Sequence, residues 1–266
     1  MKKFNHFITE QELMQNTAED LMEKLITFGG KAYPKFGNIV VMAGGAGSGK
    51  GFVLNKLVGV EGKVFDVDEL KRLASKTPSI KKRVKKELGV DIEALGKDLK
   101  NPENVSKLHD IIANFLGADK GKERMFYRSV LTSPADRKPN IIFDMTFKEL
   151  SKLEKVANDA SKLGYDKKNI HIVWVVNDIE VAQAQNAKRA RRVPSEILIN
   201  THRGAANTMG DIINMGNKLK KYMDGDIVFA FNKVGVDANL ATSGKGGSYV
   251  KDANYFYVKK QGKAPT

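Results

Sequence analysis

Residues 44–50 read GGAGSGK, a glycine-rich segment between an apolar run and the first residues of a helical pattern. The run 38–43 predicts a buried strand, and residues 52–57 predict the start of a helix. Glycines let backbone N–H groups approach phosphate oxygens closely, which larger residues in the turn would prevent. The segment therefore predicts a strand–loop–helix unit that binds nucleotide phosphates through Gly44, Gly45, Ala46, Gly47, Ser48, Gly49, Lys50, Gly51 and Phe52.

The residues after Lys50 depart from the usual pattern of such loops. A serine or threonine normally follows the lysine and binds Mg²⁺ through its hydroxyl, whereas this chain has Gly51 and then Phe52. We expect phosphate binding, with Lys50 against the outer phosphates, and an altered contact to magnesium. The alternative is a glycine turn that only connects the strand to the helix.

The composition limits the compartment and the partners. The chain has no cysteine, so disulfides and thiolate metal sites are excluded. No run is as long as a membrane span, and residues 1–6 lack the apolar core of a secretory signal, so we expect a cytoplasmic protein without membrane contact. The net charge of +14 favours nucleotides or nucleic acid as partners, although scattered, solvated lysines explain it equally well.

Apolar runs alternate with helical patterns along the chain. The candidate strands are 38–43, 63–66, 139–144, 170–176 and 225–232. This alternation predicts an α/β fold with a five-stranded, mostly parallel sheet and helices on both faces.

The pattern also divides the chain into regions with different expected roles. The predicted divisions are a helical extension (1–36), a main domain (37–232), a helical substrate insertion (69–132), a lid (186–194) and a basic tail rich in Gly and Ser (233–266). A capping box at 9–12 predicts the helix of the extension, which Gly29 and Gly30 should end. Within the tail, residues 255–258 alternate in polarity and predict a short edge strand.

Acidic residues follow two of the candidate strands. Asp68 lies just past the second strand, where a carboxylate can accept a proton from an attacking hydroxyl and hold it in line with a phosphate. Asp66 competes for this role, and a helix N-cap at Asp68 is the structural alternative. Asp144 ends the third strand after an apolar run, and we expect it to contact Mg²⁺, through water.

Basic residues concentrate at 188–192, between two predicted helices. Guanidinium groups on such a hinge can close over a triphosphate and neutralise charge on the phosphoryl group in transfer. A solvated helix end and a nucleic-acid patch are the alternatives, because cations also favour helix C-termini.

Taken in order, these features resemble the polynucleotide kinase and zeta-toxin branch of the phosphate-loop kinases. The resemblance covers about 37–232, and its more specific parts are the segment VFDVDELK (64–71) and the lid; Asp144-Met145-Thr146 matches a further family motif. It implies a P-loop kinase fold with Asp68 as general base. The family pattern further implies that Arg189 contacts the transferring phosphate with Arg192 in support, and that the acceptor is bound by Asp66, Lys71, Arg72 and Thr146.

The leading hypothesis is therefore an ATP- and Mg²⁺-dependent kinase that acts on a hydroxyl group. A polynucleotide 5′-hydroxyl is the first choice of acceptor because of the charge, followed by a sugar nucleotide and a nucleoside. A nucleotide-binding protein without catalysis, such as a virion component, is the rival that Gly51 and the basic tail favour. Residues 1–10 resemble the packaging tags of some tailed-phage proteins, which suggests a bacteriophage origin.

Overall fold

The structure is a computed structural model and describes residues 26–31, 34–58, 60–66, 75–115, 130–189, 192–232, 240–242, 248–250 and 255–266. Its strands are β1 (Ile39–Ala43), β2 (Lys63–Asp66), β3 (Ile141–Asp144), β4 (Ile170–Val176), β5 (Ile227–Phe231), β6 (Leu240–Thr242), β7 (Ser248–Val250) and β8 (Tyr255–Lys259). Its α-helices are α1 (Lys50–Lys56), α2 (Pro78–Leu88), α3 (Ile92–Lys97), α4 (Pro102–Asp110), α5 (Ser151–Lys162), α6 (Ile179–Lys188) and α7 (Ser195–Asn214). No helix in these ranges is long and apolar enough to cross a bilayer.

Six strands form one sheet in the order β2-β3-β1-β4-β5-β8. The first five are parallel, and β8 pairs antiparallel with β5, while β6 and β7 form a separate hairpin. The predicted mostly parallel α/β sheet is confirmed, and the sixth strand is the edge strand predicted at 255–258. Because the first five strands are parallel, their carboxyl ends meet at one edge of the sheet, here called the carboxyl edge, and their amino ends meet at the amino edge.

Both faces of the sheet are buried, which explains why its strands are apolar throughout instead of alternating. All five residues of β1 are buried, and alternate side chains of that strand enter two different core clusters. One cluster includes Ile39, Val41 and Ala43 and packs against α5 and α7, and the other includes Val40 and Met42 and packs against α1.

The described part of the insertion is helical and has a small core of its own. Val84, Ile92, Leu108 and Ile112 are buried together between α2, α3 and α4. The side chain of Asp91 caps α3 by accepting hydrogen bonds from two backbone amides. The role of this region in substrate binding stays a prediction.

The N-terminal extension differs from the predicted helix where the structure describes it. The backbone N–H of Ile26 donates to the carbonyl of Leu57 at 2.8 Å, and Phe28 pairs with Lys31 around a tight turn. Ile26 and Phe28 are almost fully buried in the cluster around α1, so this segment is extended because it packs along the core. The prediction that the helix continues to Gly29 is wrong here, and residues 9–25 lie outside the described ranges.

The amino edge carries a chain of buried polar side chains at the starts of β1, β3 and β4. Asn140 Oδ1 accepts from the backbone N–H of Asn38 at 2.9 Å, and its Nδ2 donates to two carbonyls. Asn38 Oδ1 lies 3.3 Å from His171 Nε2, and His171 Nδ1 accepts from the backbone N–H of Asp226 at 2.9 Å. These partners assign the Nε2–H tautomer to His171, and burial lowers its pKa.

Asp226 connects this chain of side chains to both ends of the described sequence. Its two carboxylate oxygens accept from the backbone N–H of Gly29 at 2.6 Å and of Gln261 at 2.8 Å. Burial acts to raise the pKa of Asp226, but the hydrogen bonds from the two backbone amides favour the carboxylate, and the pKa is lowered overall. Nearby, the buried ammonium of Lys259 lies 3.0 Å from Asp224. Together we call Asn38, Asn140, His171, Asp226 and Lys259 the amino-edge network.

Candidate phosphate-binding site

The glycine-rich segment is the loop between β1 and α1 at the carboxyl edge, as predicted. Gly44 has a φ of 145° and Gly47 a φ of 76°, values that L residues rarely adopt. A Cβ at Gly44 would lie 2.7 Å from the carbonyl oxygen of Val175 on β4, so the loop leaves β1 in close contact with its neighbour strand. Glycine is thus required by both conformation and space at the point where the loop begins.

Lys50 occupies the mouth of the loop. Its ammonium donates to the carbonyls of Gly44 at 2.9 Å and Gly45 at 3.3 Å, and it lies 3.8 Å from Asp144 Oδ1 on β3. Lys50 and Asp144 keep 13% and 28% of their side-chain surface exposed, so both can meet a ligand. The predicted strand–loop–helix unit is therefore present, with an acid at the end of the adjacent parallel strand beside it.

The segment after Asp144 lies against the loop. The carbonyl of Thr146 accepts from the backbone N–H of Gly44 at 3.4 Å, so Thr146 borders the loop through its backbone. Phe147 is buried and has a φ of 55°, which costs a bulky residue about 1–3 kcal/mol. The surrounding core holds this strained turn, and such outliers concentrate at functional sites.

Two asparagines at the ends of neighbouring strands brace the loop from the side. Asn177 Nδ2 donates to the carbonyl of Gly47 at 3.2 Å, and Asn232 Nδ2 donates to the carbonyl of Ser48 at 2.9 Å. Of the buried side-chain atoms in the described residues, Ser48 Oγ and Asn177 Oδ1 have no hydrogen-bond partner. Because an unpaired buried polar atom is costly, these two atoms mark a point of the loop where a bound ligand or an ordered water would supply hydrogen bonds.

Two side chains of α7 also contact this loop. The Thr201 hydroxyl accepts from the backbone N–H of Ala46 at 3.1 Å, and His202 Nε2 lies 2.8 Å from the carbonyl oxygen of Ala46. Burial lowers the pKa of His202 and the nearby Lys50 ammonium lowers it further, although the contact to Ala46 acts in the opposite direction. A neutral ring that donates from Nε2 fits these contacts, since a carbonyl only accepts.

The residues predicted for magnesium are few. No group of three or more acidic, histidine or cysteine residues that could hold a metal occurs in the described ranges. Magnesium in kinase sites is commonly held by one or two carboxylates, several waters and the substrate phosphates, so Asp144 beside the loop fits that requirement. A Cβ at Gly51 would meet nothing within 4 Å, so packing does not exclude a serine there.

The side chain of Asn186 connects the two ends of the predicted lid. Asn186, near the end of α6, donates to the carbonyl of Val193 at 2.8 Å and accepts from its N–H at 2.9 Å. Arg189 directly follows α6 and is exposed, and the backbone N–H of Arg192 donates to the carbonyl of Leu99 at 3.1 Å. The lid therefore contacts the helical insertion, and the roles of the two arginines stay predictions.

The acceptor side of the site is described only in part. Asp66 ends β2 and pairs in register with Asp144, which puts it at the carboxyl edge. Asp68, Lys71 and Arg72 lie outside the described residues, and their roles stay predictions. At the start of α1, Phe52 keeps 38% of its surface exposed, so it is not a core residue.

Sequence reasoning missed four residues that hold the loop: Asn177, Thr201, His202 and Asn232. The two asparagines had a usable signal, because each directly follows a predicted strand at the edge where the loop lies. The two residues on α7 had none, because a polar pair in a long helix is usual on a solvated face.

Comparison with known proteins leaves the chain without a family. No family model and no curated sequence matches it. A chain from the PezAT chromosomal toxin-antitoxin system of Streptococcus pneumoniae is similar at 14% identity, with 87% of this chain and 80% of that chain covered and a TM-score of 0.39. A chain of the AvrRxo1-ORF1:-ORF2 complex with ATP is 11% identical over 91% of this chain and 67% of that chain, with a TM-score of 0.40.

A third similar structure is deoxyadenosine kinase from M. mycoides with bound dATP. It is 14% identical, with 75% of this chain and 92% of that chain covered and a TM-score of 0.31. These likenesses are too distant to support a functional statement, so the function proposed below depends on the chain's own residues.

Proposed function

We propose that the protein is a phosphotransferase that moves the γ-phosphate of ATP to a hydroxyl group. The observation that carries the proposal is the loop between β1 and α1, where Lys50 lies 3.8 Å from Asp144 and the buried Ser48 hydroxyl has no partner. A cationic loop rich in backbone amides, beside a carboxylate, suits a triphosphate and its metal ion.

In this proposal the loop amides and Lys50 bind and orient the triphosphate. Lys50 exchanges its present carbonyl partners for the outer phosphates, and Asp144 is the residue that would hold Mg²⁺. The metal would supply charge neutralisation on the phosphates. Most of the barrier reduction then comes from positioning and charge stabilisation, as is usual in phosphoryl transfer.

Asp68 is the proposed general base, which accepts the proton of the acceptor hydroxyl. Lys71 and Arg72 orient the acceptor, with Asp66 and Thr146 in support. Arg189 neutralises charge on the phosphoryl group as the lid closes, and Arg192 assists. The short hydrogen bonds between Asn186 and Val193 support this part, because they fix the hinge from which both arginines extend.

A 5′-hydroxyl of a polynucleotide is our first choice of acceptor, because the net charge of +14 favours a polyanion. A sugar nucleotide, as in zeta-toxin-like kinases, is the alternative acceptor. A nucleotide-binding virion protein without catalysis, encoded by a bacteriophage, is the second candidate function. The missing hydroxyl at Gly51 favours it, because packing leaves room for a serine that the chain does not have.

The test is transfer of labelled γ-phosphate from ATP to a panel of acceptors, with ATP binding measured in parallel. The panel contains 5′-hydroxyl DNA and RNA, sugar nucleotides, nucleosides and a sample without acceptor. We expect label on one acceptor class with the wild type. We expect a loss of about a hundredfold or more in Asp68→Asn, since general-base catalysis contributes about that much, while ATP binding persists.

Asp136→Asn is the matched control, because Asp136 is an exposed acid in the short turn 135–137. It should transfer phosphate at the wild-type rate. ATP binding without transfer to any acceptor would favour the non-catalytic candidate, and absence of ATP binding would contradict both candidates.

A further inference from the structure

We propose that Thr201 and His202 are positioning residues that hold the phosphate loop in its binding shape. The inference rests on the proposed function, because it concerns how the same loop receives a nucleotide. We call the two side chains and their hydrogen bonds to Ala46 the Ala46 clamp.

The clamp fixes both polar atoms of one loop residue. Thr201 Oγ1 accepts from the N–H of Ala46 at 3.1 Å and donates its own proton to the carbonyl of Leu198 at 2.7 Å. His202 Nε2–H donates to the carbonyl of Ala46 at 2.8 Å. Because Thr201 is itself oriented by the helix backbone, the orientation of the Ala46 residue is set by α7 rather than by a bound phosphate.

Gly45 shows that this contact is built into the loop. A Cβ at Gly45 would overlap the ring of His202, so the second glycine of the loop is needed to seat the imidazole. The N–H of Ala46 is donated to Thr201 and that of Ser48 to the carbonyl of Gly45, so the phosphates would be met by other amides of the loop and by Lys50.

The same helix continues to the other parts of the site. Packing is close where Gly204 of α7 faces Lys148, because a Cβ on this glycine would lie 2.7 Å from the lysine Cβ, just past the strained Phe147. At its other end α7 begins at Ser195, directly after the lid that Asn186 pins. The helix α7 therefore contacts the loop and the segment after Asp144, and it begins directly after the lid.

Preorganisation of this kind lowers the entropy lost when the nucleotide binds. Loss of the clamp should therefore weaken ATP binding and leave the chemical step less affected. We expect Thr201→Val and His202→Ala to raise the Kd for ATP at least tenfold, and kcat to change less than KM. Thr201→Ser and His202→Gln keep the acceptor hydroxyl and an N–H donor, so they should bind ATP within about threefold of the wild type.

A second measurement does not need a nucleotide. Amide hydrogen exchange of residues 44–48 in the free protein should be at least tenfold faster in Thr201→Val, because the Ala46 N–H loses its acceptor. Asn200→Ala and Arg203→Ala are the matched controls, since both residues are exposed neighbours on α7. They should leave exchange and ATP affinity unchanged.

The outcomes separate the inference from the proposed function. Unchanged exchange in Thr201→Val, or faster exchange with unchanged ATP affinity, would overturn the positioning role. A conservative variant that binds as poorly as His202→Ala would also overturn it, because the contact to Ala46 would then not be the cause. A wild type that binds no ATP would contradict the proposed function, whereas the exchange measurement would still report on the clamp.

Discussion

The amino edge and the carboxyl edge of the sheet both collect polar side chains, but their hydrogen bonding differs. In the amino-edge network, Asn38, Asn140, His171 and Asp226 accept and donate among themselves and to nearby backbone. At the carboxyl edge, Ser48 Oγ and Asn177 Oδ1 are buried without hydrogen-bond partners, and the Lys50 ammonium donates to two loop carbonyls and lies 3.8 Å from Asp144.

This difference indicates that the amino edge contributes mainly to stability and the carboxyl edge mainly to ligand binding. Satisfied buried networks stabilise one structure, whereas unpaired groups cost stability unless a ligand completes them. The strained Phe147 also lies on the carboxyl side, directly after the site. We therefore expect changes at the carboxyl edge to reduce function with little loss of stability, and changes at the amino edge to do the reverse.

Lys50→Met should have the largest effect, because it removes the cation that meets the phosphates. We expect phosphate transfer to fall by about a hundredfold or more, as when one preorganised donor is removed from an active site. The free energy of unfolding should change by less than about 1 kcal/mol. Lys259→Met is the matched change at the amino edge, measured by the same turnover and denaturation assays.

Lys259 is fully buried and paired with Asp224, so its loss should cost about 1–3 kcal/mol of stability and leave transfer by the folded protein intact. If the two lysine variants lowered the free energy of unfolding equally, the expected difference in stability between the two edges would be wrong.

Asp226→Asn should come next. The asparagine oxygen can accept from only one of the backbone N–H groups of Gly29 and Gln261. The other N–H then faces the asparagine NH₂ group, which is also a donor. We expect the free energy of unfolding to fall by about 1–3 kcal/mol, measured by urea titration. ATP affinity of the folded variant should match the wild type, and a tenfold loss of affinity would contradict the division between the edges.

Acid should destabilise the protein in part through the amino edge. The pKa values of His171 and Asp226 are both lowered in the folded protein, by burial for the histidine and by hydrogen bonds that overcome burial for the aspartate. The unfolded chain therefore takes up protons first, and stability is lost as pH falls below about 6.5 for His171 and below about 3.9 for Asp226.

The measurement is the thermal unfolding midpoint between pH 7.5 and 5. His171→Gln should flatten this dependence, and the part that remains is expected from His202, whose pKa burial also lowers. A midpoint that rises toward pH 5 would show that the assigned direction is wrong.

Gly51→Ser should have the smallest effect on the fold. A Cβ there meets nothing within 4 Å, and serine is a better helix residue than glycine by about 0.5 kcal/mol or less. We expect unchanged or slightly raised stability, together with a lower Mg²⁺ concentration for half-maximal transfer. Loss of more than 1 kcal/mol would show that packing does reject a side chain at this position.

The parts of the molecule that the sequence predicted are those with local signals. The phosphate loop, Asp144 and the apolar strands depend on residues within a few positions of one another, and period and spacing suffice to find them. His202 could not be found in this way, because it meets Ala46 across 156 positions and nothing in α7 marks it.

The predicted end of the N-terminal helix was wrong for a related reason, because the contacts that decide it are also distant in the sequence. Ile26 fits a helical period, but its neighbours in the fold are Val58 and the core around α1, and tertiary packing overrides the local pattern. His171 and Asp226 likewise read as ordinary residues at strand starts, because their partners come from four separate segments.

The late position of β8 in the chain has a consequence for synthesis on the ribosome. Until residues 255–259 emerge, β5 has an open strand edge, and Asp226 lacks the hydrogen bond that the Gln261 backbone N–H donates to one of its oxygens. The nascent chain would display an unpaired, apolar strand for the time needed to make the segment from the end of β5 through β8, and such edges invite pairing with other chains. Folding yield in the cell should therefore be more sensitive to changes in β8 than to changes in the loop between β1 and α1.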